Sequence, residues 1–501
     1  MQSVTTLGTL QNLPEPPDGA LICVDLDGTL VRSDTLFESI TPLLRQGPKA
    51  WFSLLASAFK GRAALKEKVA LHGSPRAETL AWREELIEAL RRWKVNGHRL
   101  VLATASHRTT AEAVQAHLGL FDHVIGTEEN RNLRGKEKLS ALRKIAQGKP
   151  IWYLGDSSAD LPLWKEVDGV AIAPFRSVAR KVKQLGGVEV VEEKRPSSWI
   201  VWSRALRLHQ WAKNGLLFLP AILAHQLQTP AQFLSLLYGF FAFSTAASSI
   251  YLLNDLLDLP SDRLHPVKKE RPLAAGWLSF LHAFIAIPLL LLVSALFTWK
   301  LGNLAFALTL STYLLITTLY SLYLKKVFAL DILVLTALYI IRLFAGSTIS
   351  ATPLSFWLIA FGLFFFSSLA ILKRVTDLQK MVEIDREKID RCGYTTADLP
   401  TLRTVGIATS IQSIVVLAFY MDSDHFRSLY SNPEFFWLAI PILFLWLMRV
   451  WIITGRGEML EDPVLFAVKD PWSWLVGLTL LAITWLAYTT DLTPLVQLLG
   501  R

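Results

Sequence analysis

Apolar positions fall into two regimes along these 501 residues. Up to about residue 195 they come in short runs separated by charged, helix-like stretches. Residues 20–24, 99–103 and 151–154 are nearly continuous apolar runs of this kind, as expected for strands buried on both faces of a parallel sheet. From about residue 215 onward the runs become long enough to cross a bilayer. Nine spans are expected, roughly at 214–228, 233–253, 278–297, 301–320, 330–349, 355–371, 405–421, 435–454 and 472–489. The first is weak and open to tilting or breaking. The expected fold is an α/β domain with a small helical insertion, followed by an all-α multispanning domain.

Composition sharpens this division. Cys23 and Cys392 are the only cysteines and lie far apart, which excludes a disulfide framework and a cysteine-based metal site. The 17 Trp fit belts at membrane–water interfaces. Met1 to Pro17 has neither a basic start nor an apolar core, so no signal peptide is expected. The net charge of +9 is concentrated beside the spans, favouring anionic lipid head groups and phosphorylated substrates as partners over nucleic acid.

With the N-terminus inside, the inward loops 254–276, 321–329, 372–404 and 455–471 carry 4, 2, 7 and 2 Lys/Arg, whereas the outward loops carry only Lys300 and Arg427. The positive-inside rule therefore places the N-terminal domain and all four charged loops in the cytoplasm. Ser198 to Asn214 mixes Trp with basic residues and reads as an interfacial amphipathic helix. Gly186 to Pro196 reads as the interdomain linker.

The densest chemistry lies in residues 254–272, directly after an apolar run. Asp255, Asp258 and Asp262 fall at i, i+3 and i+7 and share a face if the helix continues. Three such carboxylates repel unless a divalent cation sits between them, and Mg²⁺ binds through a few carboxylates plus substrate phosphate oxygens. Asn254 precedes them; Arg263, Lys268 and Arg271 follow and suit the rest of a phosphorylated ligand. A solvated juxtamembrane loop would explain the cations but not the Asp register. Further inward-side features repeat the theme. Lys325 and Lys326 precede Asp331, Lys373 and Arg374 stand near Asp377, and Glu461-Asp462 is followed by Lys469-Asp470. Arg342 lies well inside the fifth span, where a lone Arg faces a polar cavity and calls for a phosphate or carboxylate partner.

Residues 200–490 resemble the UbiA superfamily of intramembrane prenyltransferases, whose first motif is Asn-Asp-x-x-Asp-x-x-x-Asp. The finer resemblance is to its decaprenyl-phosphate phosphoribosyltransferase branch. His265-Pro266 through Lys268, Arg271-Pro272 and Gly276 carry it, with Gln210-Trp211, Lys213-Asn214 and Ile341-Arg342. Aromatic-ring prenyltransferases continue the motif differently, and their second Asp-rich motif is reduced here to a single Asp331. The resemblance implies attack of a polyprenyl phosphate on phosphoribosyl diphosphate. Asp255, Asp258 and Asp262 would hold Mg²⁺, and Lys213, Asn254, Arg263, Lys268, Arg271, Lys325, Arg342 and Lys373 would serve substrate.

In the first regime, the run at 20–24 ends in Asp25-Leu26-Asp27-Gly28-Thr29. Two Asp at i and i+2 point to one side of a strand end, and the Gly permits a tight loop. Asp25 can then act as nucleophile while Asp27 handles protons. The second apolar run leads into Thr104-Ala105-Ser106 and the third into Gly155-Asp156 with Asp160, while Lys136 and Lys138 lie between. This ordered set resembles the haloacid dehalogenase (HAD) superfamily over residues 20–185. The resemblance implies Asp25 as aspartyl-phosphate nucleophile, Asp27 as general acid/base, Thr104 on the phosphoryl group and Lys138 (or Lys136) neutralising it. Asp156 and Asp160 would complete a Mg²⁺ site with Asp25 and Asp27. A cap would occupy about 31–98, with residues 50–59 as a packed or membrane-touching helix.

The expected organisation is a tail at 1–19, a HAD-like domain at 20–190, a linker with interfacial helix at 191–213, and a UbiA-like domain at 214–501. Together these imply a bifunctional, multi-pass inner-membrane enzyme with both active sites cytoplasmic. It would form a phosphoribosyl lipid and then remove the 5-phosphate. The alternatives are an aromatic prenyltransferase with a separate phosphatase, or a HAD domain serving as a regulatory module. Homo-oligomerisation is left open.

Overall fold

The structure is a computed structural model that describes residues 8–10, 12–40, 76–127, 133–227, 229–265, 267–383, 393–427, 430–459 and 462–489, with isolated positions in 41–75. Two compact units divide the chain. One comprises Met1–Leu206 with Tyr251–Ile287; the other comprises Arg207–Ile250 with Pro288–Arg501.

Among the described residues, the first unit is built on seven parallel strands: β1 (Gly8–Thr9), β2 (Leu21–Val24), β3 (Arg99–His107), β4 (His123–Thr127), β5 (Ile151–Gly155), β6 (Asp168–Ile172) and β7 (Val188–Glu192). Their order is β1-β7-β6-β5-β2-β3-β4. Within β2 every residue is buried, and the two-residue side-chain period divides them between two cores. Ile22 and Val24 pack with Leu86, Leu90, Trp93 and Trp152, while Leu21 and Cys23 pack with Leu139, Leu142 and Ala146. The former core includes α2 (Glu84–Val95), and the latter includes α4 (Lys136–Ala146). The short α1 (Thr35–Glu38) follows β2, and α3 (Arg108–Leu118) follows β3. Strand order reverses at β2, between β5 and β3. In open parallel sheets the crevice beyond the strand ends at such a reversal is where ligands bind. The predicted cap segment 50–59 lies, apart from isolated positions, outside the described residues.

Among the described residues, eight helical segments are long and apolar enough to cross a membrane: Pro230–Arg263, Phe280–Leu301, Leu304–Leu322, Leu330–Ser350, Phe356–Val382, Thr396–Asp422, Pro433–Gly455 and Pro471–Thr489. The sequence predicts nine. The difference is the first, where Leu208–Phe218 winds as 3₁₀ turns and only Leu219–Leu223 is α-helical. Fifteen residues reach about 22 Å as an α-helix, short of the roughly 30 Å of hydrocarbon. The packing also needs irregular backbone here: a Cβ on Gly346 would lie 2.0 Å from the Leu217 carbonyl oxygen. Gly346 therefore lets the Leu330–Ser350 helix approach this segment directly. The predicted interfacial helix is likewise shorter than its pattern. It covers Ser198–Ala205, capped by Ser197, and the chain leaves it through Arg207 at φ 50°. Trp199 on it is 72% exposed.

Candidate active sites

The C-terminal ends of β2, β3 and β5 bring one constellation together. Asp25 follows β2 directly, Thr104 lies within β3 and is buried, and Asp156 follows β5. Lys138 Nζ lies 3.1 Å from Asp25 Oδ2 and donates to the Tyr153 hydroxyl at 2.9 Å. Tyr153 in turn donates to Asp160 Oδ1 at 2.8 Å. Of the two candidate lysines, Lys138 thus reaches Asp25, while Lys136 is exposed on the same helix. Asp27 accepts from the Thr35 backbone N–H at 2.7 Å through Oδ1 and from Ser106 Oγ at 2.5 Å through Oδ2. Thr104 Oγ1 accepts the Ser106 N–H at 3.0 Å. Gly28 has φ +73°, and a Cβ there would strike the Asp156 carboxylate, so the loop passes that group as only glycine allows.

The electrostatics are those of an oxygen cage short of positive charge. Burial, then Asp25 and Asp160, push Asp156 up to about 8. Burial pushes Asp25 up to about 7 against the pull of Lys138. Burial and then Asp34 raise Asp27 to about 6, against the bonds from Ser106 and Thr35. Oxygens of Asp25, Asp156 and Asp160 lie within 4.8 Å of one another. An all-carboxylate set of this kind fits a hard divalent cation. Asp160 already accepts from Ser157 N–H and Oγ at 3.0 and 3.1 Å as well as from Tyr153, so it orients the loop whether or not it ligates.

Tyr153 was not singled out by its sequence pattern, nor were Arg83 and Glu193. Arg83 is 1% exposed and donates to the carbonyls of Gly28 and Thr29. It also pairs with Glu193 at 3.3 Å, and Glu193 accepts Arg32 Nε at 2.7 Å. Glu193 lies in the stretch read as a linker, yet its side chain is buried. The signal available was weak: a Tyr inside an apolar strand and an acidic pair at the end of β7.

The Asp-rich run forms the C-terminal end of the Pro230–Arg263 helix. Asp255 and Asp262 are buried and share one guanidinium nitrogen, Arg271 Nη1, at 3.1 and 2.7 Å. The positive charge between these two carboxylates is therefore an arginine of the same run. Asn254 Oδ1 is buried and has no hydrogen-bond partner among the described residues, an acceptor that a cation would satisfy. Asp258 and Lys268 are half-buried in the same segment. Arg263 turns elsewhere: it forms a bidentate pair with Glu38 at 2.6 and 2.8 Å. Pro266 lies outside the described residues.

In the second unit, Arg342 is buried and donates to Asn214 Oδ1 at 2.8 Å, to the Leu338 carbonyl, and to the Tyr313 hydroxyl at 3.3 Å. Phe243, Tyr313 and Tyr339 ring its guanidinium at 5.0–5.8 Å. Among the described residues no carboxylate pairs with it; neutral oxygens and aromatic faces surround it instead. Lys213 pairs with Asp462 at 2.5 Å. Burial raises the Asp462 carboxyl, but Lys213 and Lys373 outweigh it and bring it to about 2. Lys213 and Tyr339 border a cavity of about 350 Å³ whose walls include Leu216, Phe365 and Trp446. Arg374 pairs with Asp331 at 2.6 Å, and Tyr394 donates to the other Asp331 oxygen at 2.6 Å. Lys325 lies in the turn before that helix.

Comparison with known proteins bears on both constellations. Residues 216–468 match the UbiA prenyltransferase family. The chain belongs to that family. Residues 22–165 match haloacid dehalogenase-like hydrolases, so this UbiA-family chain carries a HAD domain at its N-terminal side. It is 35% identical over 464 residues to the uncharacterized protein y4nM of Sinorhizobium fredii, covering 91% of this chain and 89% of that one. It is 31% identical to the decaprenyl-phosphate phosphoribosyltransferase of Mycolicibacterium smegmatis, covering 53% of this chain and 86% of that one. A UbiA homolog from Archaeoglobus fulgidus bound to GPP and Mg²⁺ aligns with 56% of this chain and 99% of its own at 17% identity, with a TM-score of 0.43. The HAD–UbiA fusion is thus a multi-pass membrane protein that joins a transferase domain to a phosphohydrolase domain.

Proposed function

We propose that the membrane domain transfers 5-phosphoribose from phosphoribosyl diphosphate to a polyprenyl phosphate, and that the HAD domain then removes the 5-phosphate to leave polyprenyl-phosphoryl-ribose. The observation that carries the reading is the pairing of Lys138 with Asp25, beside Asp27 and Asp156, in the same chain as an Asp-rich run bridged by Arg271. The 31% identity to a decaprenyl-phosphate phosphoribosyltransferase supports the choice of donor and acceptor.

In the transferase step the lipid phosphate oxygen forms a bond to ribose C1 as the C1–diphosphate bond breaks. Asp255, Asp258 and Asp262, with Asn254, would hold Mg²⁺, which when bound neutralises the departing diphosphate. Arg271, between Asp255 and Asp262, is placed to move to a phosphate oxygen when those carboxylates turn to a cation. In the second step Asp25 attacks the 5-phosphate, and Asp27 gives a proton to the departing ribose oxygen. Asp27 then takes a proton from the water that hydrolyses the aspartyl phosphate. Lys138 neutralises charge on Asp25 and the phosphoryl group, and Thr104 supplies a hydroxyl to it. Asp156 with Asp25 would hold the second Mg²⁺, which supplies Lewis-acid stabilisation of the phosphoryl oxygens.

Removing the 5-phosphate makes the sequence effectively irreversible, a chemical reason to fuse the two activities. The charge of the inward loops supports a cytoplasmic position for both sites, at an inner membrane in this reading. The test supplies labelled phosphoribosyl diphosphate and polyprenyl phosphate to the full chain and identifies the lipid by mass spectrometry. Wild type is expected to give the dephosphorylated ribosyl lipid, Asp25→Asn to stop at the phosphoribosyl lipid, and Asp258→Ala to give neither. Prenylation of an aromatic acceptor such as 4-hydroxybenzoate, with no labelled lipid, would overturn the reading.

A further inference from the structure

The Asp-rich run makes a second set of contacts within the first unit that binding phosphate does not require. Arg263 ends the motif-bearing helix, and its side chain is 6% exposed. Four hydrogen bonds engage it: two to Glu38, one to the Thr79 carbonyl at 2.6 Å and one from Nε to the Ala274 carbonyl at 3.0 Å. Glu38, 8% exposed, is the last residue of α1. The first residue of α1 is Thr35, whose N–H holds Asp27 and whose hydroxyl lies 2.8 Å from Ser106 Oγ, the other group on Asp27. A single helical turn therefore separates Arg263's partner from the residue that orients Asp27.

A second thread runs parallel to the first. Arg83 holds the Gly28 and Thr29 carbonyls, Glu193 joins Arg83 to Arg32, and the Arg32 guanidinium lies 4.8 Å from the ring centre of Trp277. Gly276 (φ +76°) is seated so closely that a Cβ there would meet Arg32 Cβ at 2.6 Å. Phe37 of α1 stacks on Phe280 at 5.6 Å. Both threads link the loop carrying Asp25 and Asp27 to residues 263–280.

We propose that Arg263 is a positioning residue of the phosphatase: through Glu38 and α1, the end of the transferase motif helix sets the placement of Asp27. This rests on the phosphatase reading of the Asp25 site, and it makes phosphatase turnover depend on the membrane segment. Mutual charge neutralisation explains why two such groups tolerate burial, since a lone buried charge is costly. Bidentate geometry explains why the link is directional.

The experiment uses the detergent-solubilised full chain with Mg²⁺ and p-nitrophenyl phosphate, a probe that needs no lipid and no transferase step. Arg263→Met and Glu38→Gln are each expected to lower the Asp25-dependent kcat about 10- to 100-fold with little change in KM, because misplacement of a catalytic group acts on the chemical step. The double variant should be no worse than the poorer single one. Glu38→Arg combined with Arg263→Glu should recover part of the turnover, which rules out a general folding defect. Turnover close to wild type in both single variants would overturn the proposal. So would a loss confined to Arg263→Met and accompanied by loss of lipid labelling, since that assigns Arg263 to the transferase substrate. Hydrolysis that Asp25→Asn leaves intact would remove the phosphatase reading itself.

Discussion

Lys138 Nζ sits 3.1 Å from Asp25 Oδ2, with both side chains largely withdrawn from solvent. The carboxyl is already raised to about 7 with this cation in place. Replacing Lys138 by Met would leave Asp25 protonated at neutral pH and the phosphoryl charge unopposed. Phosphate release from a monoester should fall by about 10²–10³-fold, as for loss of one charge-stabilising donor. The same variant should still label lipid with phosphoribosyl diphosphate.

Gly28→Ala should be as damaging with a smaller change of side chain. The position has φ +73°, and the new methyl would stand 2.2 Å from Asp156 Oδ2. The left-handed backbone alone costs about 1–2 kcal/mol for a residue with a Cβ. Displacing Asp156 should cost about 10²-fold in turnover. Steady-state hydrolysis together with thermal unfolding separates the two effects.

Chelation probes the carboxylate cage directly. EDTA should abolish phosphate release and added Mg²⁺ should restore it. Asp156→Asn should show no such restoration, because burial and the adjacent carboxylates that raise Asp156 to about 8 mark it as the group most relieved by a cation.

Acid stability should carry the signature of Glu193. Burial acts to raise its carboxyl, but Arg83 and Arg32 outweigh that and hold it below its ordinary 4.5 in the folded chain. A depressed carboxyl contributes stability that is fully present above the unfolded value and is lost as pH falls through the folded one. Thermal unfolding of wild type should therefore weaken as pH drops below about 4.5. In Glu193→Gln this part of the acid dependence should vanish, while stability at neutral pH falls.

In the second unit, Arg374 and Asp331 are 6% and 0% exposed at the side chain. Removing Arg374 leaves the buried Asp331 carboxylate with Tyr394 but without its ion pair, at a cost of about 3–5 kcal/mol, whereas removing Asp331 still leaves Arg374 its 3.1 Å pair with Asp377 and should cost less. Arg374→Met combined with Asp331→Leu should unfold at a higher temperature than the worse single variant in the same detergent.

What could be read from sequence followed local pattern. The apolar run before Asp25 marked a buried strand because a parallel strand needs apolar side chains on both faces, and all four residues of β2 are buried. The sequence left Lys138 and Lys136 as alternatives; in the structure Lys138, four residues before Leu142 and eight before Ala146, shares the buried face of α4 that Lys136 does not. Arg83 with Glu193 and Arg263 with Glu38 were not legible. Their partners lie 110 and 225 residues apart, and no periodicity links positions that only tertiary packing brings together. The first span was weak in sequence and open to breaking, and in the structure it is broken. Its hydropathy suggested a crossing helix, but a contact such as that of Gly346 with the Leu217 carbonyl cannot be seen one residue at a time. Arg342 shows the limit for charges, because Tyr313 and Asn214 satisfy it without a carboxylate.

The ion pair between Lys213 and Asp462 spans 249 residues of chain. At ordinary translation speeds of roughly 5–20 residues per second, Lys213 leaves the ribosome on the order of 10–50 s before its carboxylate exists. Seven of the eight candidate spans among the described residues lie wholly between these two positions, so most of the bundle enters the bilayer while this ammonium still lacks Asp462. During that interval the Tyr339 ring, 5.8 Å from the Lys213 ammonium in the finished fold, is among the contacts already made. The cavity beside Lys213 consequently takes its final form late in biosynthesis, and a chain truncated before Asp462 should insert yet remain open there.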